Sequence, residues 1–234
     1  VAWLNSDDLY QPGTLQKVLD FFDSHPDVGL LYGDVLAIDG DNRPINLMSY
    51  ADWGLDGLMR FEIIGQPGVF FRRKYLLESG LLDTRFHYTL DHHLWLRIAV
   101  RAPICYLPET LAAAHYHAEA KNVAQAASFG ADAFRILEWM QQDALFVERY
   151  QKNEKRILSG AYRFNAYYMS EGERWAEALR DYIKSFRLYP ANIRRDWPRF
   201  MYTLLSALGL RSLVSLALDM RKHRRDKTLD EKGC

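Results

Sequence analysis

Val1-Ala2-Trp3-Leu4-Asn5-Ser6-Asp7-Asp8 opens the chain, and its reading decides the fold. Four apolar residues followed at once by a polar, carboxylate-bearing turn describe a buried strand that ends on two aspartates. Pro12-Gly13-Thr14 then starts a helix to about Ser24, with Leu15, Val18, Leu19 and Phe22 on one face, and His25-Pro26-Asp27 stops it. Residues 28–38 read as a strand broken at Gly33-Asp34, and Asp39-Gly40-Asp41-Asn42 as a hairpin turn. A loop-rich stretch with Trp53 and Gly57 leads to a strand at 68–71 and a short helix at 74–79 closed by Gly80. Helical periodicity returns at 90–101 through Leu90, Leu94, Ile98 and Arg101, and 103–107 and 111–117 are two further short strands. Strands alternating with helices predict an α/β layer architecture with a mixed sheet and flanking helices.

Beyond residue 118 the pattern is helical throughout, with breaks expected at Gly160, Glu171-Gly172-Glu173, Pro190-Ala191-Asn192 and Gly209. The chain therefore reads as an α/β part at 1–118 and an all-α extension at 119–234. Within the extension, 160–190 has the spacing of one tetratricopeptide-like unit or of a plain helical hairpin. Charge divides at the same place. The 234 residues carry 30 Lys+Arg and 30 Asp+Glu, yet residues 1–117 hold 9 basic and 15 acidic side chains while 118–234 hold 21 and 15.

Composition excludes several classes. With 49% hydrophobic, 14% aromatic and 26% charged residues, the chain is neither disordered, collagen-like nor a coiled coil. Zero net charge and the lack of an aromatic-lined basic groove argue against nucleic acid as a partner. Two cysteines, Cys105 and Cys234, make no disulfide framework, and the chain is expected in the cytoplasm. Residues 202–218 are the most apolar stretch, but Arg211 interrupts them and they fall short of the ~20 residues that a span requires. Followed by Arg221-Lys222-His223-Arg224-Arg225, they read as a packed terminal helix with a solvated basic tail, or as a peripheral contact with the inner face of a membrane.

Three constellations carry chemistry. Asp7 and Asp8 stand at the C-terminal end of a strand, where α/β sheets bind ligands. They are either a polar turn or a pair in which one carboxylate reaches a hard divalent cation and the other a sugar or ribose hydroxyl. Asp91 begins the 90–101 helix, as a cap stabilised by the helix dipole or as a general base aimed into a cleft. Its neighbours His92 and His93 do not face each other on a helix, which argues against shared ligation. His115 and His117, two apart on a strand, share one face, as a metal pair or as ordinary surface residues.

In chain order, Trp3-Leu4-Asn5-Ser6-Asp7-Asp8, Tyr32-Gly33-Asp34, Gln66-Pro67-Gly68-Val69-Phe70-Phe71-Arg72-Arg73, the helix string from Leu90 to Ala99 and Leu111 to His117 resemble the motifs of glycosyltransferase family 2. The resemblance covers about residues 1–120 and implies a partial GT-A, Rossmann-like fold that transfers a sugar from a nucleotide-sugar donor. By that likeness Asp8, with His117, would hold Mn²⁺ or Mg²⁺ against the donor diphosphate, and Asp7 would assist at the ribose or sugar. Asp91 would be the catalytic base, and Gln66 and Arg72 would border the donor and acceptor. The acceptor would be a glycan, a lipid-linked saccharide or another hydroxyl, as in cell-envelope polysaccharide synthesis. Asn5, Leu90 and His115 depart from the residues common at those places. Family members begin with a nucleotide-binding strand and turn, so such a segment is expected upstream of Val1. Two other readings are an inactive fragment serving as an interaction module, and a nucleotidyltransferase that also uses paired aspartates.

Overall fold

The computed structural model describes residues 1–115 and 126–210. His117, the basic tail and residues 211–218 of the apolar stretch lie outside the described residues. A five-stranded mixed sheet is built from β1 (Leu9–Tyr10), β2 (Leu30–Ile38), β3 (Pro44–Met48), β4 (Val69–Phe71) and β5 (Ile104–His115). Along the sheet the order is β1-β5-β2-β3, with β4 also paired to β2. β2 and β5 run parallel and all other pairs are antiparallel. Eight helices accompany the sheet among the described residues: α1 (Thr14–Ser24), α2 (Gly54–Met59), α3 (Arg73–Glu78), α4 (Leu90–Ala99), α5 (Ala126–Gln142), α6 (Val147–Glu171), α7 (Trp175–Leu188) and α8 (Asn192–Ala207). The expected α/β class with a helical C-terminal region is thus observed.

The central strand explains the layers. β2 is buried on both faces, as its near-continuous apolar run requires. Leu30 and Tyr32 point to one side, into the cluster that holds Leu94, Trp95 and Phe71, while Leu31 points to the other, with Val18, Phe70 and Leu111. α1 therefore covers one face, and α4 with α5 and α6 covers the other. The first cluster runs without interruption from Leu30 and Phe71 through Leu94 to Ile136, Met140 and Phe164.

Six local expectations change. The strand expected to break at Gly33-Asp34 runs unbroken as β2, and only its register with β5 shifts there. Residues 1–4 form no ladder; the Val1 backbone exchanges two hydrogen bonds with Phe71, at 2.7 and 2.9 Å, and pairing stops there. On α1 the sheet takes Thr14 and Val18, so Leu15 and Leu19 are exposed. The loop-rich stretch contains α2. The two strands expected at 103–107 and 111–117 are the single strand β5, which bulges where Gly33 opposes Leu107 and Asp34 opposes Thr110. Pro108 lies in that bulge and has no N–H to give to a ladder. Gly160 does not break a helix; α6 runs through it. The other breaks lie as expected, with Glu173 and Gly209 at positive φ. Among the described residues no helix is long and apolar enough to cross a membrane.

Candidate active site

Residues 5–8 form a turn closed by the Asp8 N–H donating to the Asn5 carbonyl at 3.1 Å. Asn5 Nδ2 donates to Asp8 Oδ2 at 2.8 Å and approaches Gln66 Oε1 at 3.3 Å. Gln66 Nε2 in turn donates to the Trp3 carbonyl. Gln66 occupies a 3₁₀ turn (Gln66–Gly68) that lies directly on β2, because a Cβ at Gly68 would stand 2.8 Å from the Gly33 carbonyl oxygen. Only glycine allows that approach. The Asn5 turn and the Gln66 turn, 61 residues apart in sequence, are thereby side by side.

A cleft of about 300 Å³ opens beside them. Trp3, Asn5 and Gln66 line it from the turns, and Leu90 and Asp91 from the first turn of α4. His87 and Tyr88 come from the loop before α4, and Phe129 comes from α5. Asp91 is half-buried and its Oδ1 accepts the His92 N–H at 2.7 Å. Burial raises its carboxyl above the usual carboxylate range, against the opposing hydrogen bond from His92. A carboxylate made more basic and facing a cleft has the character of a proton acceptor.

Asp8 lies beyond Asn5, outside the cleft lining and 7% exposed. Burial raises its carboxyl, and neighbouring Asp7 pushes the same way, while Asn5 and the His115 N–H (3.3 Å) oppose them. His115 Nδ1 donates to the Asp7 carbonyl, so the end of β5 holds this turn. The Asp7 side chain is exposed. A buried carboxylate beside a second one, both acceptor-only, is the donor chemistry that a hard divalent cation takes. No group of three or more His, Cys, Asp or Glu side chains able to hold a metal ion occurs among the described residues. The rest of such a shell would draw on phosphate oxygens and water, as is usual for Mg²⁺.

Arg72 is not at the cleft. It follows β4 at the opposite end from Gln66, and its guanidinium donates to the carbonyls of Val28 (2.9 Å), Phe22 (2.5 Å) and His25 (3.1 Å) while lying 4.9 Å over the Phe22 ring. Those donors are spent on fastening the end of α1. His92 and His93 are buried apart from one another, as helix geometry requires. Sequence reasoning gave no role to Tyr88, His87 or Phe129. Phe129 lies 38 residues beyond Asp91 on another element, and no local pattern marks that convergence.

No family model matches the chain. Over 85 residues it is 33% identical to an uncharacterized protein of Mycobacterium tuberculosis. The match covers 35% of this chain and 27% of that protein, so the chain spans little more than a quarter of its relative.

Proposed function

We propose that the chain is part of a glycosyltransferase that moves a sugar from a nucleotide-sugar donor to an acceptor hydroxyl. One observation carries the reading: Asn5, Gln66 and Asp91, each from a different one of the motifs that suggested the resemblance, line the same cleft. Asp91, raised by burial, takes the proton of the acceptor hydroxyl as that oxygen attacks the anomeric carbon, and the nucleoside diphosphate leaves from the opposite face. One in-line displacement inverts the anomeric centre. Gln66 and Asn5 hold the edge of the cleft where donor and acceptor meet. Asp8, with His117, would hold a divalent cation, which supplies charge neutralisation on the departing diphosphate.

The test is Asp91→Asn in the full-length protein, assayed against a panel of UDP- and GDP-sugars. Transfer is expected to fall by about 10²–10⁴, the usual worth of a positioned base. Binding of UDP with Mn²⁺, followed by calorimetry, is expected to stay near wild type. Transfer at wild-type rates in the variant sinks the assignment of Asp91. No metal-dependent nucleotide binding in the unmutated protein would leave a folded interaction module instead of a transferase.

A further inference from the structure

We infer that the helical segment completes the cleft and selects its ligand: Tyr88 and Phe129 form an aromatic platform for an uncharged sugar ring. That the ring belongs to the acceptor rests on the transfer reading above; that it binds does not. Phe129 of α5 is 8% exposed and is fixed on two sides. Tyr168 of α6 stacks on it at 4.4 Å and 5°, and Tyr88 leans on it at 5.2 Å and 51°. The Tyr88 N–H donates to Asp132 Oδ2 at 2.7 Å, and that carboxylate is 1% exposed, so the backbone that presents Tyr88 is tied to α5. Trp3, stacked on Trp95 at 5.2 Å and 22°, adds a third ring to the cleft.

The polar groups and the charge define the ligand. Against these apolar faces stand Asn5, Gln66, the His87 imidazole and the Asp91 carboxylate, and no lysine or arginine occurs among the described residues that line the cleft. A phosphate or carboxylate on the bound ring would meet Asp91 with no lysine or arginine to offset it, at an energetic cost that grows as water is excluded. A neutral ring rich in hydroxyls has the opposite fit. Its C–H faces cover aromatic carbon, and its O–H groups donate to the carboxylate and amide oxygens. About 300 Å³ is at the small end of small-molecule sites, which suits one ring more than a chain of them.

The experiment measures binding of the full-length protein to a panel of neutral, uronic-acid and phosphorylated oligosaccharides, by saturation-transfer NMR. Neutral members are expected to bind, and those with an anionic group on the bound ring to bind about tenfold more weakly, because of the like charge on Asp91. Phe129→Leu, which keeps an apolar side chain against Tyr168, and Tyr88→Leu, which keeps its N–H on Asp132, are each expected to weaken neutral binding about fivefold through loss of an aromatic face. Thermal melts confirm that both variants are folded. Failure of every neutral member to bind overturns the inference, as does equal binding of anionic members or unchanged affinity in both variants. Neutral binding that depends on Phe129, in a protein whose Asp91→Asn variant still transfers, sinks the transfer mechanism and leaves the platform standing. Transfer to an acceptor without a sugar ring leaves the transfer mechanism standing and sinks the assignment of the bound ring to the acceptor.

Discussion

Asp91, His92 and His93 are adjacent in sequence and have three different environments. His92 Nε2 contacts the Leu58 carbonyl at 3.0 Å and its ring stacks on Phe61 at 5.5 Å. His93 sits between Phe86 at 3.9 Å and Trp139 at 4.4 Å. Burial pushes the two imidazoles down to about 4 and about 3, so both are neutral at physiological pH and anchor α4 as core residues. With the helix fixed on both sides, the carboxylate that precedes them is left facing the cleft. Because Asp91 binds its proton more tightly folded than unfolded, its effect on stability has a definite sign. The ionised form is disfavoured in the fold, so its contribution is most favourable below the unfolded carboxyl pKa of about 3.9 and worsens as pH rises through the folded value. Asp91→Asn removes that penalty while keeping an acceptor for the His92 N–H. The variant is expected to melt above wild type at pH 7, with the gap narrowing toward pH 3; equal melting curves at both pH values would contradict it. Stability gained where activity is lost is the usual mark of a site under functional constraint.

At the scale of elements, α2 and α6 show what a sequence conceals. α2 ends in a Schellman arrangement, with Phe61 N–H on the Leu58 carbonyl and Glu62 N–H on the Gly57 carbonyl, at 2.9 and 3.1 Å. The residue in the left-handed position is Phe61, at φ 59°, and not the glycine that would have announced the helix end. Packing against His92 and Phe164 holds it there, at a strain that the sequence alone does not reveal. Gly160 misleads in the other direction. It looks like a helix break, but a Cβ there would stand 2.1 Å from the Arg60 carbonyl oxygen, so glycine is present to let α6 lie against the end of α2. Gly160→Ala therefore tests two opposed effects: about 1 kcal/mol of helix propensity gained against ~1–3 kcal/mol of overpacking. Loss of stability in urea unfolding is expected; a gain would mean that α6 is free to shift. What was legible came from local rules, such as the α1 start, the Asp39–Asn42 turn, the apolar run of β2 and the Gly172 and Pro190 boundaries. Asp91 and Gln66 lie in short motifs and line the cleft, whereas from the first motif it is Asn5, read only as a departure from the expected residue, that lines it, and not Asp7 or Asp8. Arg72 was misplaced, since a motif names a residue without saying which end of a strand its side chain serves.

For the molecule as a whole, zero net charge is the sum of two parts that pair with each other. Asp56 meets Arg149 at 3.7 Å, and Glu62 meets Arg163 at 3.1 Å and Arg195 at 2.5 Å. In each pair the acid comes from the first half and the base from the second. Glu62 and Arg163 are nearly enclosed, with side chains 10% and 13% exposed, and Arg195 also lies 5.4 Å from the Trp53 ring centroid. Burial raises the Glu62 carboxyl, but Arg195 and Arg163 outweigh it and leave the group below its usual value. A carboxyl depressed in the fold contributes stability above the unfolded value of about 4.3, and that contribution is lost as pH falls through the folded value. Glu62→Gln is expected to cost ~1–3 kcal/mol at pH 7, because it removes the carboxylate that two arginines share and leaves enclosed Arg163 with Asp196 alone among the described residues, at 3.8 Å, and to cost less below pH about 4. The same network, added to a hydrophobic cluster that continues from Leu30 to Phe164, gives the described halves no boundary at which to separate. Unfolding is then expected to be a single transition. Helix content is carried mostly by α5 to α8, while Trp3, Trp53 and Trp95 report on the sheet side once Trp139, Trp175 and Trp197 of those helices are replaced by Phe. Far-ultraviolet circular dichroism and tryptophan fluorescence should give the same midpoint in urea, and Glu62→Gln should move both together. Two separated midpoints would show that the helices fold on their own and that the acid–base pairing between the halves is surface decoration.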